Sequence, residues 1–272
     1  MRYSPRAIAR YQPEKILSTN NDSQVLLCFD TVLKTKVVLK ILSNQDTHEP
    51  EITKQFSDKQ NSVTVLDIID DVKAKVIVLE YVKQGALFDY VVEKDVDILL
   101  AIRLIAPILR IVEELHSLKY VHRDIKLENI LLDGDQTILT DYEYTMKVTK
   151  ELMVSGCGSP HYASPEVIFH EKHDLYKSDI YSIGIVFYAI LFRKLPYVFE
   201  SYDDLMHQIV QDMSFPKKAH PVLKSIIQEM TNKKADLRPN LRNVWKKLYE
   251  LYVAESIETY GDSYGLLKLH LL

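Results

Sequence analysis

Up to about residue 82 the apolar positions come in short β-branched and leucine-rich runs, whereas beyond Gly85 they recur at helical spacings. SQVLLCFD (residues 23–30) and KVVLKIL (36–42) flank a polar turn, which is the pattern of a β-hairpin. SVTVLDII (62–69) and KVIVLEYV (75–82) make a second such pair around Asp70 and Asp71, and residues 49–59 between the pairs are the candidate helix of this region. Further on, Ile98, Ile102, Ile105, Leu109 and Val112 mark one buried helical stripe, with Pro107 inside it predicting a local kink. The stretch DIYSIGIVFYAILF is apolar nearly all round, as suits a helix buried on every side, and Ser178 is its expected cap. Residues 205–212, 222–230 and 241–254 read as further helices. The fold class expected is α+β, a small strand-rich lobe followed by a larger helical lobe.

Composition narrows the partners. The 272 residues suffice for one large domain or two lobes sharing a cleft, and 47% hydrophobic with 26% charged residues is ordinary for a folded soluble protein. A net charge of −4 gives no basic footprint, which argues against nucleic acid or an anionic membrane as the main partner. Cys28 and Cys157 lie far apart without metal-ligand spacing, so a reducing compartment is expected rather than a disulfide framework. The N-terminal MRYSPRAIARYQPEK lacks the apolar core of a signal peptide, and the greasy run at 180–192 is too short to span a bilayer. The expectation is an intracellular protein, cytoplasmic or nuclear. Glycine is scarce: there are seven, and none precedes Gly85.

HRDIKLEN, residues 122–129, carries the most specific chemistry. It resembles the catalytic loop of eukaryotic protein kinases, in which H-R-D is followed by four residues and Asn. The competing reading is a chance polar turn after a helix. The resemblance implies that Asp124 accepts or orients the proton of a substrate hydroxyl and that Asn129 holds Mg²⁺. It also implies that Lys126 contacts the transferring phosphate, as in the serine/threonine form of the loop. DYE at 141–143 stands where the family has D-F-G, which by the same resemblance implies that Asp141 is the second Mg²⁺ ligand; a plain turn residue after a strand is the blander reading. Tyr142 would keep the aromatic packing, while Glu143 removes a flexible glycine and adds an anion near phosphates.

Upstream, VVLK (37–40) resembles the family's V-A-I-K strand, so Lys40 would pair the α- and β-phosphates; an exposed strand lysine is the plainer reading. EIxxxF resembles the family's helix pattern and favours Glu51 as the partner of Lys40. Pro50 places Glu51 near the helix start, which leaves Glu49, or no stable pair, as alternatives. Aligning the glycine-rich loop on Val25 puts Ser18, Asn20 and Ser23 where three glycines belong, implying weakened ATP affinity. Leu17 and Ser18 would line the nucleotide from this turn. VLEYV suggests Leu79 as gatekeeper, with backbone groups of Glu80 and Val82 meeting adenine. Val25, Val38 and Leu131 would sandwich the base, although each would pass equally as core.

GCGSPHYASPEVI (156–168) resembles the peptide-binding loop and the A-P-E end of the activation segment, with Ser164 replacing the alanine. By the same resemblance Glu166 pairs with Arg238 of LRPN, and Asp179 binds the catalytic-loop backbone. The wording CGSPxYASPE is most similar to the calmodulin-dependent and AMP-activated branch, especially its fungal cell-cycle members. There the regulatory phosphosite falls on Ser155, with Arg123 as the cation that a phosphoserine would engage and Thr145 and Thr149 as rivals; a serine in a solvated loop is the competing reading. Glu128 matches an acid that some relatives use to read arginine before the target site.

The resemblance covers residues 11–252, with an N-lobe at about 11–80, a C-lobe at about 83–252, and a tail at 253–272 whose leucines could engage a regulatory partner. It implies a bilobal protein-kinase-like fold with ATP and Mg²⁺ held between the lobes. The activity implied is serine/threonine phosphorylation of a protein substrate, basic around its target site. The alternative is a pseudokinase scaffold, suggested by the missing glycines and Glu143. A small-molecule or lipid kinase is disfavoured by GSPHYASPE.

Overall fold

The computed structural model describes residues 9–44, 46–71, 74–150, 153–154 and 156–260. Two compact units are present. The first runs to Lys83 and includes Thr140–Glu143; the second comprises Gln84–Leu139 and the chain from Tyr144 onward.

The first unit is built on a five-stranded antiparallel sheet: β1 (Tyr11–Thr19), β2 (Ser23–Asp30), β3 (Thr35–Leu42), β4 (Val65–Asp71) and β5 (Ala74–Glu80), in the order β1-β2-β3-β5-β4. Both expected hairpins form, β2 with β3 and β4 with β5. Alternation along β3 decides the two faces of the sheet. Val37, Leu39 and Ile41 join Tyr11, Leu26, Cys28, Val76 and Val78 in one buried cluster. On the other face Lys40 stands opposite Val25 and Ile77, and Val38 stands opposite Leu27 and Leu79. β1 is an edge strand, where Pro13 removes no ladder bond that the sheet requires.

Helix α1 (Glu49–Phe56) follows β3, with proline in its first turn, where the missing N–H has no intrahelical partner in any case. Glu49, Thr53 and Phe56 recur at the spacing of one helical face and are all buried.

The second unit is helical. It contains α2 (Leu87–Glu93), α3 (Ile98–Ser117), α4 (Pro165–Ile168), α5 (Leu175–Phe192), α6 (Tyr202–Ile209), α7 (Pro221–Met230) and α8 (Leu241–Tyr260). Short strands run between them: β6 (Tyr120–Val121), β7 (Ile130–Asp133), β8 (Gln136–Leu139), β9 (Met146–Lys147), β10 (Met153–Val154) and β11 (Lys172–His173). α3 is capped by Asp97, whose side chain accepts from Leu100 N, and it runs on through Pro107. It packs against α5 and α8. α5 is buried nearly all round, as its composition requires. Its cap is Asp174 rather than the expected Ser178, because Leu175 and Tyr176 already lie in the helix. Ser178 is instead a buried helical residue. α8 continues past the expected end at Ala254 as far as Tyr260.

Candidate active site

In the first unit the chemistry gathers around Lys40. Its Nζ lies 2.6 Å from Glu49 Oε1, 2.7 Å from Asp141 Oδ1 and 3.7 Å from Glu143 Oε2. Glu51 is not the partner. The α1 stripe turns Glu49 inward with its side chain 2% exposed, whereas Glu51 is 62% exposed and reaches Lys75 at 3.3 Å. Two residues along a helix point about 200° apart, so only one of these carboxylates could face Lys40. Burial opposes the charge on Lys40, but Asp141 and Glu49 outweigh it and hold the ammonium above the usual lysine range. Glu49 is pushed up to about 7, by burial first; Lys40 draws it down, while Asp141 and Glu143 push it further up.

Asp141 adopts a left-handed φ of 65°. The next residue anchors it: Tyr142 is fully buried, stacks on Phe56 with centroids 5.7 Å apart, and its hydroxyl lies 2.6 Å from Ser62 Oγ. Tyr142 therefore keeps the expected aromatic packing and adds a polar anchor that the sequence did not reveal.

The turn between β1 and β2 is closed on itself. Asn20 Oδ1 accepts from the backbone of Asp22 at 2.9 Å and of Ser23 at 2.5 Å, and from the Ser23 hydroxyl at 3.1 Å. Amides that a glycine-rich turn would offer to a phosphate are satisfied here by an asparagine side chain. Leu17 is exposed, and Ser18 lies opposite Val25 in the ladder. Leu79 and Val82 are buried, and the Glu80 carboxylate accepts from Thr64 N.

In the second unit the loop after β6 presents Asp124. Asp179, from the first turns of α5, fixes that loop. Its two oxygens accept from His122 N and Arg123 N, each at 2.9 Å, and His116 Nε2 lies 2.9 Å from Oδ2. Burial pushes the Asp179 carboxyl up, but His116 and these backbone bonds hold it below its ordinary value. Arg123 takes a left-handed φ of 71°, which turns the following Asp124 out of the strand direction.

Both Asp124 oxygens are engaged. Oδ2 accepts from Lys126 Nζ at 2.7 Å and Asn129 Nδ2 at 3.0 Å; Oδ1 accepts from the amide and the hydroxyl of Ser159, each at 2.9 Å. Lys126 Nζ also donates to Ser159 Oγ at 2.9 Å. Asn129 spends its other amide hydrogen on Asp124 O, which leaves its amide oxygen as the atom able to meet a cation. Asp124, Lys126 and Asn129 are thus brought together as their spacing in HRDIKLEN suggested. Ser159 was missed; the signal available was its place in GCGSP. Gly158 admits this contact, because a Cβ there would collide with the Arg123 carbonyl.

Other expected residues fall into supporting places. Glu166 and Arg238 form a buried two-pronged pair, Oε1 to Nη1 at 2.5 Å and Oε2 to Nη2 at 2.7 Å. Leu131 lies in β7 and pairs with Ile138. Glu128 is exposed and accepts from the Tyr162 hydroxyl at 3.1 Å. Arg123 Nη1 donates to Tyr144 O at 3.2 Å. Thr145 is buried and Thr149 exposed, while Ser155 and the tail beyond Tyr260 lie outside the described residues.

The sequence profile of the protein kinase domain matches residues 11–250. This chain belongs to the protein kinase domain family. The kinase domain is 30% identical over 244 residues to a probable serine/threonine-protein kinase of Dictyostelium discoideum, covering 85% of this chain and 29% of that protein. It is also 30% identical over 236 residues to the carbon catabolite-derepressing protein kinase of Saccharomyces cerevisiae, covering 82% of this chain and 37% of that protein. It spans about a third of the length of these relatives. The family uses ATP with Mg²⁺. Each unit by itself offers hard oxygen donors that suit such an ion: Asp141 in the first, beside a buried Glu49 Oε2 without a hydrogen-bond partner, and the amide oxygen of Asn129 in the second.

Proposed function

We propose that this kinase domain transfers the γ-phosphoryl of ATP to a serine or threonine hydroxyl of a protein. The observation that carries this reading is the Ser159 hydroxyl, 2.9 Å from both Asp124 Oδ1 and Lys126 Nζ. A hydroxyl already rests between a carboxylate that can take its proton and a cation that can balance a phosphoryl group. A substrate hydroxyl entering beside it would give its proton to Asp124 as its oxygen bonds to the γ-phosphorus. The bond from that phosphorus to the β-phosphate oxygen breaks, and ADP leaves. Lys40, held charged by Asp141 and Glu49, pairs the α- and β-phosphates. By the family's chemistry, Asp141 of the first unit and Asn129 of the second would each serve as a Mg²⁺ ligand, and the ion would neutralise charge developing on the phosphates.

Support for a protein substrate comes from the ordered segment Pro160–Tyr162 and from the Glu166–Arg238 pair that fixes the chain behind it. Glu128 stays exposed while bonded to Tyr162, a carboxylate suited to a basic residue near the target hydroxyl. The reading without turnover gains nothing from these likenesses, since the full set of charged residues is in place. The test is labelled ATP with Mg²⁺ and a basic acceptor protein, beside Asp124→Asn. Removing the base should lower transfer by about 100-fold or more. Equal labelling by both proteins would overturn the reading.

A further inference from the structure

Glu143 stands where the family pattern has glycine, and none of the roles above uses it. Its carboxylate reaches into the cluster that holds Lys40: one oxygen from each of Glu49, Asp141 and Glu143 lies within 4.8 Å of the others. Lys40 Nζ is within 2.7 Å of Glu49 and Asp141 but 3.7 Å from Glu143, so Glu143 is the carboxylate of the cluster that lies farthest from the lysine.

A second observation points to a ligand rather than to a solvated acidic patch. Glu49 is almost completely buried, and while its Oε1 meets Lys40, its Oε2 is shut from solvent and has no hydrogen-bond partner. A buried carboxylate oxygen in that condition is costly unless a cation or donor completes it. The donor set is oxygen only and anionic, which selects a hard divalent ion such as Mg²⁺ or Mn²⁺ over softer metals.

We propose that Glu143, with Asp141 and Glu49, forms a divalent-cation site within the first unit that fills before nucleotide arrives. The inference shares with the proposed function the role of Asp141 as a metal ligand and the pairing of Glu49 with Lys40. It has a direct consequence for binding. Glu143 repels incoming phosphates until a cation occupies the cluster, so the loaded cluster, not the bare one, is the form that accepts ATP.

The experiment uses the full chain without nucleotide and Mn²⁺ as the probe, with free Mn²⁺ read by its paramagnetic resonance signal at neutral pH. The chain is expected to bind one Mn²⁺ saturably. Loss of an outer-shell partner of a metal already costs tens-fold in affinity, so losing a direct ligand in Glu143→Gln or Glu49→Gln should weaken binding by about tenfold or more. Asp203→Asn, which removes an exposed carboxylate of α6, should leave the titration unchanged. Glu143→Gly gives an independent reading if the glutamine variant unfolds by circular dichroism. No saturable Mn²⁺ binding without nucleotide, or unchanged affinity in the folded Glu143 variants, would overturn the site. Phosphoryl transfer by a chain that fails to bind Mn²⁺ alone would sink this inference and leave the kinase reading intact. Mn²⁺ binding without transfer would do the reverse.

Discussion

Lys40 had two candidate partners two residues apart, and the energetics of each differ sharply. Glu49 sits in a buried pair with Lys40, where removing one partner strands the other, whereas the exposed Glu51–Lys75 contact belongs to the class of surface pairs worth little. Glu49→Gln should therefore lower kcat/KM for ATP by about tenfold or more, about 1.4 kcal/mol of transition-state stabilisation. Glu51→Gln should leave it within about twofold. Steady-state kinetics at saturating acceptor separates them, and equal loss in both variants would reject the geometry. Why the sequence favoured Glu51 is physical: each residue along a helix turns the side chain by about 100°, so the choice depends on where the first turn begins. The catalytic-loop residues were legible because Asp124, Lys126 and Asn129 lie close in one short segment. Ser159, more than thirty residues away in sequence, reaches Asp124 only through folding.

Among the elements, the short stretch Thr140–Glu143 counts with the sheet of the first unit although in sequence it lies between β8 and β9 of the second, and Tyr142 supplies the reason. Its ring stacks on Phe56 from α1, and its hydroxyl meets Ser62 ahead of β4, so one side chain ties the stretch to two elements. Tyr142→Phe keeps the ring and strands the buried Ser62 hydroxyl, which should cost about 1–2 kcal/mol in urea unfolding of the first unit. Ser62→Ala together with Tyr142→Phe should cost less than the two single changes added, because the pair forms one interaction. Strict additivity would remove the hydrogen bond from this account. β2, β3 and the paired strands β4 and β5 were legible from their apolar runs. β1 was not, since only Tyr11 among its residues is buried and Pro13 interrupts the pattern. The α5 start was misplaced for a related reason: Asp174 and Ser178 both suit a cap, and apolar periodicity alone cannot choose between starts one turn apart.

At the scale of the molecule, the second unit rests on a charge pair that closes long stretches of chain. Glu166 in α4 and Arg238 ahead of α8 meet through two short bonds; Arg238 also donates to Lys177 O and Asn232 O and lies 4.9 Å from the centre of the Tyr181 ring. Burial pushes the Glu166 carboxyl up, yet Arg238 holds it below its ordinary value of 4.5. The sign follows from linkage. A carboxyl whose folded value is depressed stabilises the fold above its unfolded value, and that contribution fades as pH falls through the folded one. Stability of the second unit should thus hold down to about pH 4.5 and decline below it, while Glu166→Gln should remove this part of the decline. Arg238→Met leaves a buried carboxylate unpaired and should cost about 3–5 kcal/mol at pH 7, more than replacing both partners with apolar residues. Trp245, the single tryptophan, lies in α8 and reports on this unit by fluorescence during urea titration. A fold that lost no stability in Arg238→Met, or whose acid limb was untouched in Glu166→Gln, would show that the pair is not what closes these stretches together.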